Sequence, residues 1–172
     1  MARAIGPEHL RRVEGRMKTT PNGRPRNILQ RSLQLRHVDA GSCNGCESEL
    51  AAITNPIYDA QRYGLDIVAS PRHADVLTVS GPVTRQMDIA LRRTYAALGD
   101  PKLVVAVGDC AAGRCPFRGT YAAGTGVAAV LPVDVHIPGC PPTPESILRH
   151  LRALMAADAA RTPAVGTEAA AR

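Results

Sequence analysis

The chain reads as a doubly wound α/β domain built on a mostly parallel sheet. Two observations carry that assignment. Apolar, strand-like runs alternate with helical patterns from residue 32 to about residue 160, the order that βαβ units require. One of those runs, Leu103-Val104-Val105-Ala106-Val107, is apolar throughout, as in a central parallel strand covered on both faces.

The elements follow in order. Residues 32–38 alternate apolar and polar side chains and predict the first strand. A helix over about 47–53 comes next, and Asn55-Pro56 interrupts it, because the residue before a proline avoids helical geometry. Residues 57–63 form a second short helical piece, closed by Gly64 as a C-cap. Residues 66–69 predict a strand, 70–73 a turn, and 75–80 a further strand ending at Gly81-Pro82. Thr84 is expected to cap an amphipathic helix reaching Leu98, with Met87, Leu91 and Leu98 inward and Arg92 and Arg93 outward. Residues 108–126 read as one long glycine-containing loop, and 133–137 as the last strand. Thr143 then caps a final helix to about residue 160, with Pro144 at its first position and Glu145 in its first turn.

Three segments result: a basic arm over 1–31 with one short helix over 9–18, the α/β domain over 32–160, and an Ala-rich tail over 161–172. The core is expected to consist of small aliphatic residues, since there is no Trp, one Phe and four Tyr in 172 residues. No apolar run approaches the roughly 18–20 residues that cross a bilayer, and the charged start does not read as a secretory signal. A cytoplasmic location is expected, where cysteines serve as ligands or catalysts more than as disulfides. The net charge of +6 is concentrated in residues 1–38, which hold nine Lys/Arg against two Glu. Such an arm suits docking on a protein or membrane surface, and nucleic acid is not expected as a partner because no aromatic residues are interleaved.

Four cysteines fall just beyond the carboxyl ends of predicted strands. Cys43 and Cys46 follow the first strand in Gly41-Ser42-Cys43-Asn44-Gly45-Cys46-Glu47, Cys110 follows the apolar strand, and Cys140 follows the last in Pro138-Gly139-Cys140-Pro141-Pro142. Open α/β sheets build their sites along that edge. Four thiolates gathered around a cube are what a cluster of four irons and four sulfides requires. Gly41, Gly45, Gly108, Gly113 and Gly139 leave room for backbone N–H groups to approach the sulfurs. The first turn of the helix at Cys46 is expected to favour thiolate over thiol.

Three other uses of these residues stand beside the cluster. A structural zinc site takes its ligands in two close pairs, whereas Cys110 and Cys140 stand 30 positions apart. A thioredoxin-like dithiol would use Cys43 and Cys46 alone and leave the settings of Cys110 and Cys140 unexplained. Inert buried cysteines belong in strand interiors more than in Gly/Pro-rich loops. A fifth thiol, Cys115, is the alternative to Cys110, which is preferred because it sits at the strand end behind Gly108-Asp109. Glu47 is either an ordinary first-turn acid or a residue facing a partner, and Arg72 and His73 are turn residues that could add positive charge near a cluster.

The cysteine motifs, together with Asn55-Pro56-Ile57-Tyr58-Asp59, Ser70-Pro71-Arg72-His73-Ala74-Asp75, Gly81-Pro82-Val83-Thr84 and Gly108-Asp109-Cys110-Ala111, resemble one family over about residues 33–155. It is the small subunit shared by group 4 energy-converting NiFe hydrogenases, formate hydrogenlyase among them, and the related B subunit of NADH–quinone oxidoreductase. The resemblance implies a flavodoxin-like fold with one proximal 4Fe-4S cluster on Cys43, Cys46, Cys110 and Cys140. It implies electron transfer to or from the active site of a large catalytic subunit. A ferredoxin-like or other iron–sulfur subunit, and membrane subunits that hold the complex to the inner face of the cell membrane, are the further partners implied. The quinone-reductase B subunits typically carry adjacent cysteines at the first position. Here Asn44-Gly45 separates Cys43 from Cys46, which is similar to the hydrogenase branch. The basic arm and Cys115 have no counterpart in the family pattern.

Overall fold

The computed structural model describes residues 32–100 and 102–159. The expected basic arm, its short helix over 9–18 and the Ala-rich tail lie outside the described residues. Five strands form one sheet: β1 (Leu33–Asp39), β2 (Leu65–Ile67), β3 (Val76–Ser80), β4 (Leu103–Val107) and β5 (Val135–Ile137). Every pairing is parallel, in the order β2-β1-β3-β4-β5. This is the flavodoxin-like order, and its direction reverses between β1 and β3.

Helices cover both faces. Leu50 and Ile53, from α1 (Gly45–Ala52) and its end, and Ile147, Leu148, Leu151 and Leu154 of α4 (Pro144–Ala159) pack with Leu33, Leu35, Val105 and Ile137 on one face. Leu91 of α2 (Arg85–Ala97) and Leu98 beyond it pack with Val38, Leu77, Val79 and Val104 on the other. Each fully buried Leu or Ile contributes about 1.5–3 kcal/mol relative to exposure, so the two layers hold the sheet between them.

β4 is wholly buried, as its apolar run requires, but β3 is equally buried and takes the middle place. β2 is shorter than expected and begins one residue earlier, since the chain leaves the sheet at Val68 and turns at Ser70-Pro71. Thr84 precedes α2 in extended geometry but makes no side-chain cap; its N–H instead donates to the Ala40 carbonyl at 2.9 Å, tying the end of β3 to the end of β1. Thr143 does cap α4, its Oγ1 accepting the Ser146 N–H at 3.3 Å. The segment read as one long loop over 108–126 opens with a helical turn, α3 (Gly108–Ala111), and a 3-10 turn at Val127–Ala129 follows it.

Candidate functional site

The loops beyond β1, β4 and β5 are each built for a sharp departure from the sheet. After β1, the Asp39 carboxylate accepts the N–H groups of Gly41 and Ser42 at 2.8 and 2.7 Å, bending the chain toward Cys43. Asn44 adopts left-handed geometry (φ 66°), which asparagine tolerates better than most residues, and α1 begins at Gly45. Cys46 therefore lies in a first helical turn. β4 runs directly into α3, which carries Cys110, and β5 runs into Gly139 and Cys140.

These loops close on one another. The Asp109 N–H donates to the Gly139 carbonyl at 2.8 Å, joining the β4 and β5 ends. His136 Nε2 donates to the Gly108 carbonyl at 3.0 Å, from the neighbouring strand. Gly45 faces both Cys43 and Pro141: a Cβ there would stand 3.6 Å from the Cys43 sulfur and 3.7 Å from the proline ring. Gly108 lies tighter still, since a Cβ on it would stand 2.6 Å from Cys46 Sγ. Cys43 and Cys140 are exposed, Cys110 is partly covered and Cys46 is buried.

The thiols act on one another electrostatically. Burial pushes the Cys46 thiol up to about 12, and Glu47, Cys110, Cys43 and Cys140 each add to the rise. Burial likewise pushes Cys110 up to about 11, with Cys115, Cys140 and Cys43 contributing. The expectation that the α1 start favours thiolate at Cys46 is thus corrected. Burial and neighbouring sulfurs outweigh whatever one helix terminus contributes. Two thiols that resist ionising, Cys46 and Cys110, call for positive charge beside them, which suits a cationic metal–sulfur core. Among the described residues, no three His, Cys, Asp or Glu side chains gather closely enough for a single metal ion.

Cys115 is buried beside Cys110 and within reach of a hydrogen bond to it. Arg72 and His73 lie exposed in a 3-10 turn before β3, at the opposite end of that strand from the thiol edge. They do not add charge beside the cysteines.

Sequence reasoning missed a polar network under the first cysteine loop. The Glu47 carboxylate accepts from Ser42 Oγ at 2.5 Å and from Ser80 Oγ, and pairs with His37 Nε2 at 3.3 Å. His37 Nδ1 in turn lies 3.2 Å from Thr78 Oγ1. Burial would raise the Glu47 carboxyl, but the hydrogen bonds from Ser42, Ser80 and His37 hold it below its ordinary value. Burial lowers His37, and Glu47 only partly offsets this. The signal was present in the strands: His37, Thr78 and Ser80 are polar residues on the side of β1 and β3 that otherwise carries Leu33, Leu35 and Val76.

Comparison with known proteins places this arrangement. The sequence profile for the NADH ubiquinone oxidoreductase 20 Kd subunit matches residues 43–154, which takes in all four strand-end cysteines. A probable membrane-bound hydrogenase subunit of Pyrococcus furiosus is 47% identical over 121 residues, covering 70% of this chain and 72% of its own length. Formate hydrogenlyase subunit 7 of Escherichia coli is 43% identical over 120 residues; the match covers 70% of this chain but 47% of that longer relative. Among solved structures, a chain of an archaeal membrane-bound sulfane sulfur reductase superposes with a TM-score of 0.67 at 30% identity, over 77% of this chain and 73% of that one. The chain belongs to the family of the NADH ubiquinone oxidoreductase 20 Kd subunit, a family of oxidoreductase subunits.

Proposed function

We propose that this chain is the electron-transfer small subunit of a membrane-associated, hydrogenase-type complex, and that Cys43, Cys46, Cys110 and Cys140 hold one 4Fe-4S cluster in it. The observation that carries this is geometric: three separate loops deliver these cysteines to one sheet edge, where the chain at Gly108 closes on the Cys46 sulfur and the Asp109–Gly139 hydrogen bond joins the Cys110 and Cys140 loops. When bound, such a cluster takes up and gives back single electrons.

The chain's own residues prepare the site in three ways. Gly108, lacking a side chain, lets the β4 end approach the Cys46 sulfur. The Asp109–Gly139 and His136–Gly108 hydrogen bonds hold the Cys110 and Cys140 loops at a constant separation. Because burial keeps Cys46 and Cys110 protonated in the protein alone, loading iron must release their protons. Beside them, the hydrogen-bonded Glu47 carboxylate is a held negative charge that disfavours adding electrons at the sulfurs and so works toward a low potential.

The catalytic centre would lie mainly in a large partner subunit. A hydrogenase subunit and a formate hydrogenlyase subunit among the relatives, together with the Asn44-Gly45 spacer, favour the hydrogenase branch. Attachment to the membrane would run through other subunits, since no helix among the described residues is long and apolar enough to cross one. The family's own description supports a second reading, a subunit of a quinone-reducing complex.

Anaerobic purification with co-purifying chains tests both. Iron and acid-labile sulfide near four per chain, with a paramagnetic signal on reduction, is the expected result; iron-free protein with a titratable Cys43–Cys46 dithiol would overturn it. Nickel in the co-purifying large chain assigns the hydrogenase branch, and its absence the quinone branch.

A further inference from the structure

A groove of about 630 Å³ runs along the outer side of α4, against the connection from α1 to β2. Its lining contains none of the five cysteines. The floor is apolar, with Leu148 of α4, and Ile57 stands at the edge with 82% of its surface exposed. Arg62, Arg149 and Arg152 surround it, against Glu145 as the one acidic residue in the lining.

The arginines are positioned but not neutralised. Arg152 stacks on the Tyr63 ring at 4.3 Å from its centroid, and Arg62 lies 5.0 Å from the same ring while donating to its hydroxyl at 2.8 Å. Arg149 reaches only Ser146 Oγ, at 3.4 Å. No carboxylate pairs with any of the three among the described residues. Guanidinium groups stacked on an aromatic ring keep their outward N–H donors aimed at solvent and lose little freedom when an anion arrives. Tyr and Arg around an apolar floor is also the composition of interface hot spots.

From this we infer that the groove is a docking site for an acidic, partly aliphatic segment of a partner protein. Its carboxylates pair with Arg62, Arg149 and Arg152, and an aliphatic side chain packs on Ile57 and Leu148. Charge complementarity selects the occupant. A second copy of this basic chain, or its own arm over 1–31 with seven Arg and one Lys against two Glu, would bring like charge to the arginines.

The test uses the full chain in its native complex, with Ile57 replaced by p-benzoylphenylalanine and irradiated in cells. The expected adduct is a segment of another protein carrying acidic residues around an aliphatic one. That segment, made as a labelled peptide, is expected to bind the purified full chain, more weakly as salt rises. Arg149→Glu with Arg152→Glu is expected to weaken it by at least about tenfold. Arg149→Gln with Arg152→Gln is expected to give a smaller loss, and circular dichroism melting confirms that each variant folds. An adduct with residues 1–31 or 160–172 of this chain, with a second copy or with phospholipid overturns the inference. So does the absence of any adduct, or peptide binding indifferent to both variants and to salt. Iron content at the cysteines is independent of every one of these outcomes.

Discussion

Replacing Gly108 with Ala is the most direct probe of how the cysteine edge is assembled. Gly108 has φ +85°, and the added Cβ would stand 2.6 Å from Cys46 Sγ and 3.3 Å from the Gly139 carbonyl. Ordinary non-bonded contacts lie near 3.5–4.0 Å, so either Cys46 or the β4 end must move by about 1 Å. Left-handed geometry costs an L-residue roughly 1–2 kcal/mol, and a forced displacement in a packed site about 1–3 kcal/mol more. A total of about 3 kcal/mol corresponds to a fall in melting temperature of roughly 10 °C for a domain of this size. Gly119→Ala is the matched control, since φ there is +71° but nothing lies within 4 Å of the added Cβ. It carries the backbone cost alone, about 1 kcal/mol or roughly 4 °C. Thermal melts of metal-free protein give the two stabilities, and iron and sulfide analysis after anaerobic reconstitution reports on the site. Gly108→Ala is expected to lose most of its iron while Gly119→Ala keeps it. Equal melts and equal iron in the two variants would refute the steric account of the Gly108–Cys46 approach.

Four further outcomes follow. Cys110→Ala is expected to abolish iron retention, whereas Cys115→Ala keeps it and loses about 1 kcal/mol of stability on urea unfolding; the reverse pattern would make Cys115 the ligand. In metal-free protein at pH 8, mass-mapped alkylation is expected to modify the exposed Cys43 and Cys140 quickly and the buried Cys46 slowly; uniform labelling would show that the site opens in solution. His37 has its folded-state value lowered by burial from the usual 6.5, so the unfolded chain binds the proton more tightly and stability falls as pH drops below about 6.5. Glu47, held below its usual 4.5, adds to the loss at still lower pH, and urea midpoints of the metal-free protein should show His37→Gln flattening the limb just below pH 6.5. Finally, Glu47→Gln removes a held negative charge and is expected to raise the midpoint potential of the iron-loaded protein in a redox titration; an unchanged potential at full iron content would remove Glu47 from the site's electrostatics.

Much of this architecture was legible because it rests on patterns that sequence spells out. The apolar run of β4 and the amphipathic period of α2 depend on burial, and burial shows in composition. The same holds for the placing of Cys43, Cys46, Cys110 and Cys140: once strands are located, residues just beyond their carboxyl ends share an edge by topology. What escaped depends on contacts between distant segments. The His37–Glu47–Ser80 network joins residues 10 and 33 apart. The bond from the Thr84 N–H to the Ala40 carbonyl links the ends of β3 and β1 across 44 residues, which no local rule anticipates. Thiolate at Cys46 was expected from one helix terminus, but burial, with Glu47 and the neighbouring sulfurs adding to it, raises the thiol instead.

The parallel sheet has a consequence for how the protein matures. Every strand pairing is parallel and Cys140 lies just beyond the last strand, so it reaches the other sulfurs only after β5 has docked on β4. A chain ending before β5 still carries Cys43, Cys46, Cys110 and Cys115 but lacks Cys140. If the proposed cluster takes all four sulfurs, its insertion must wait for β5, and a loaded site would report that the β4–β5 edge has closed.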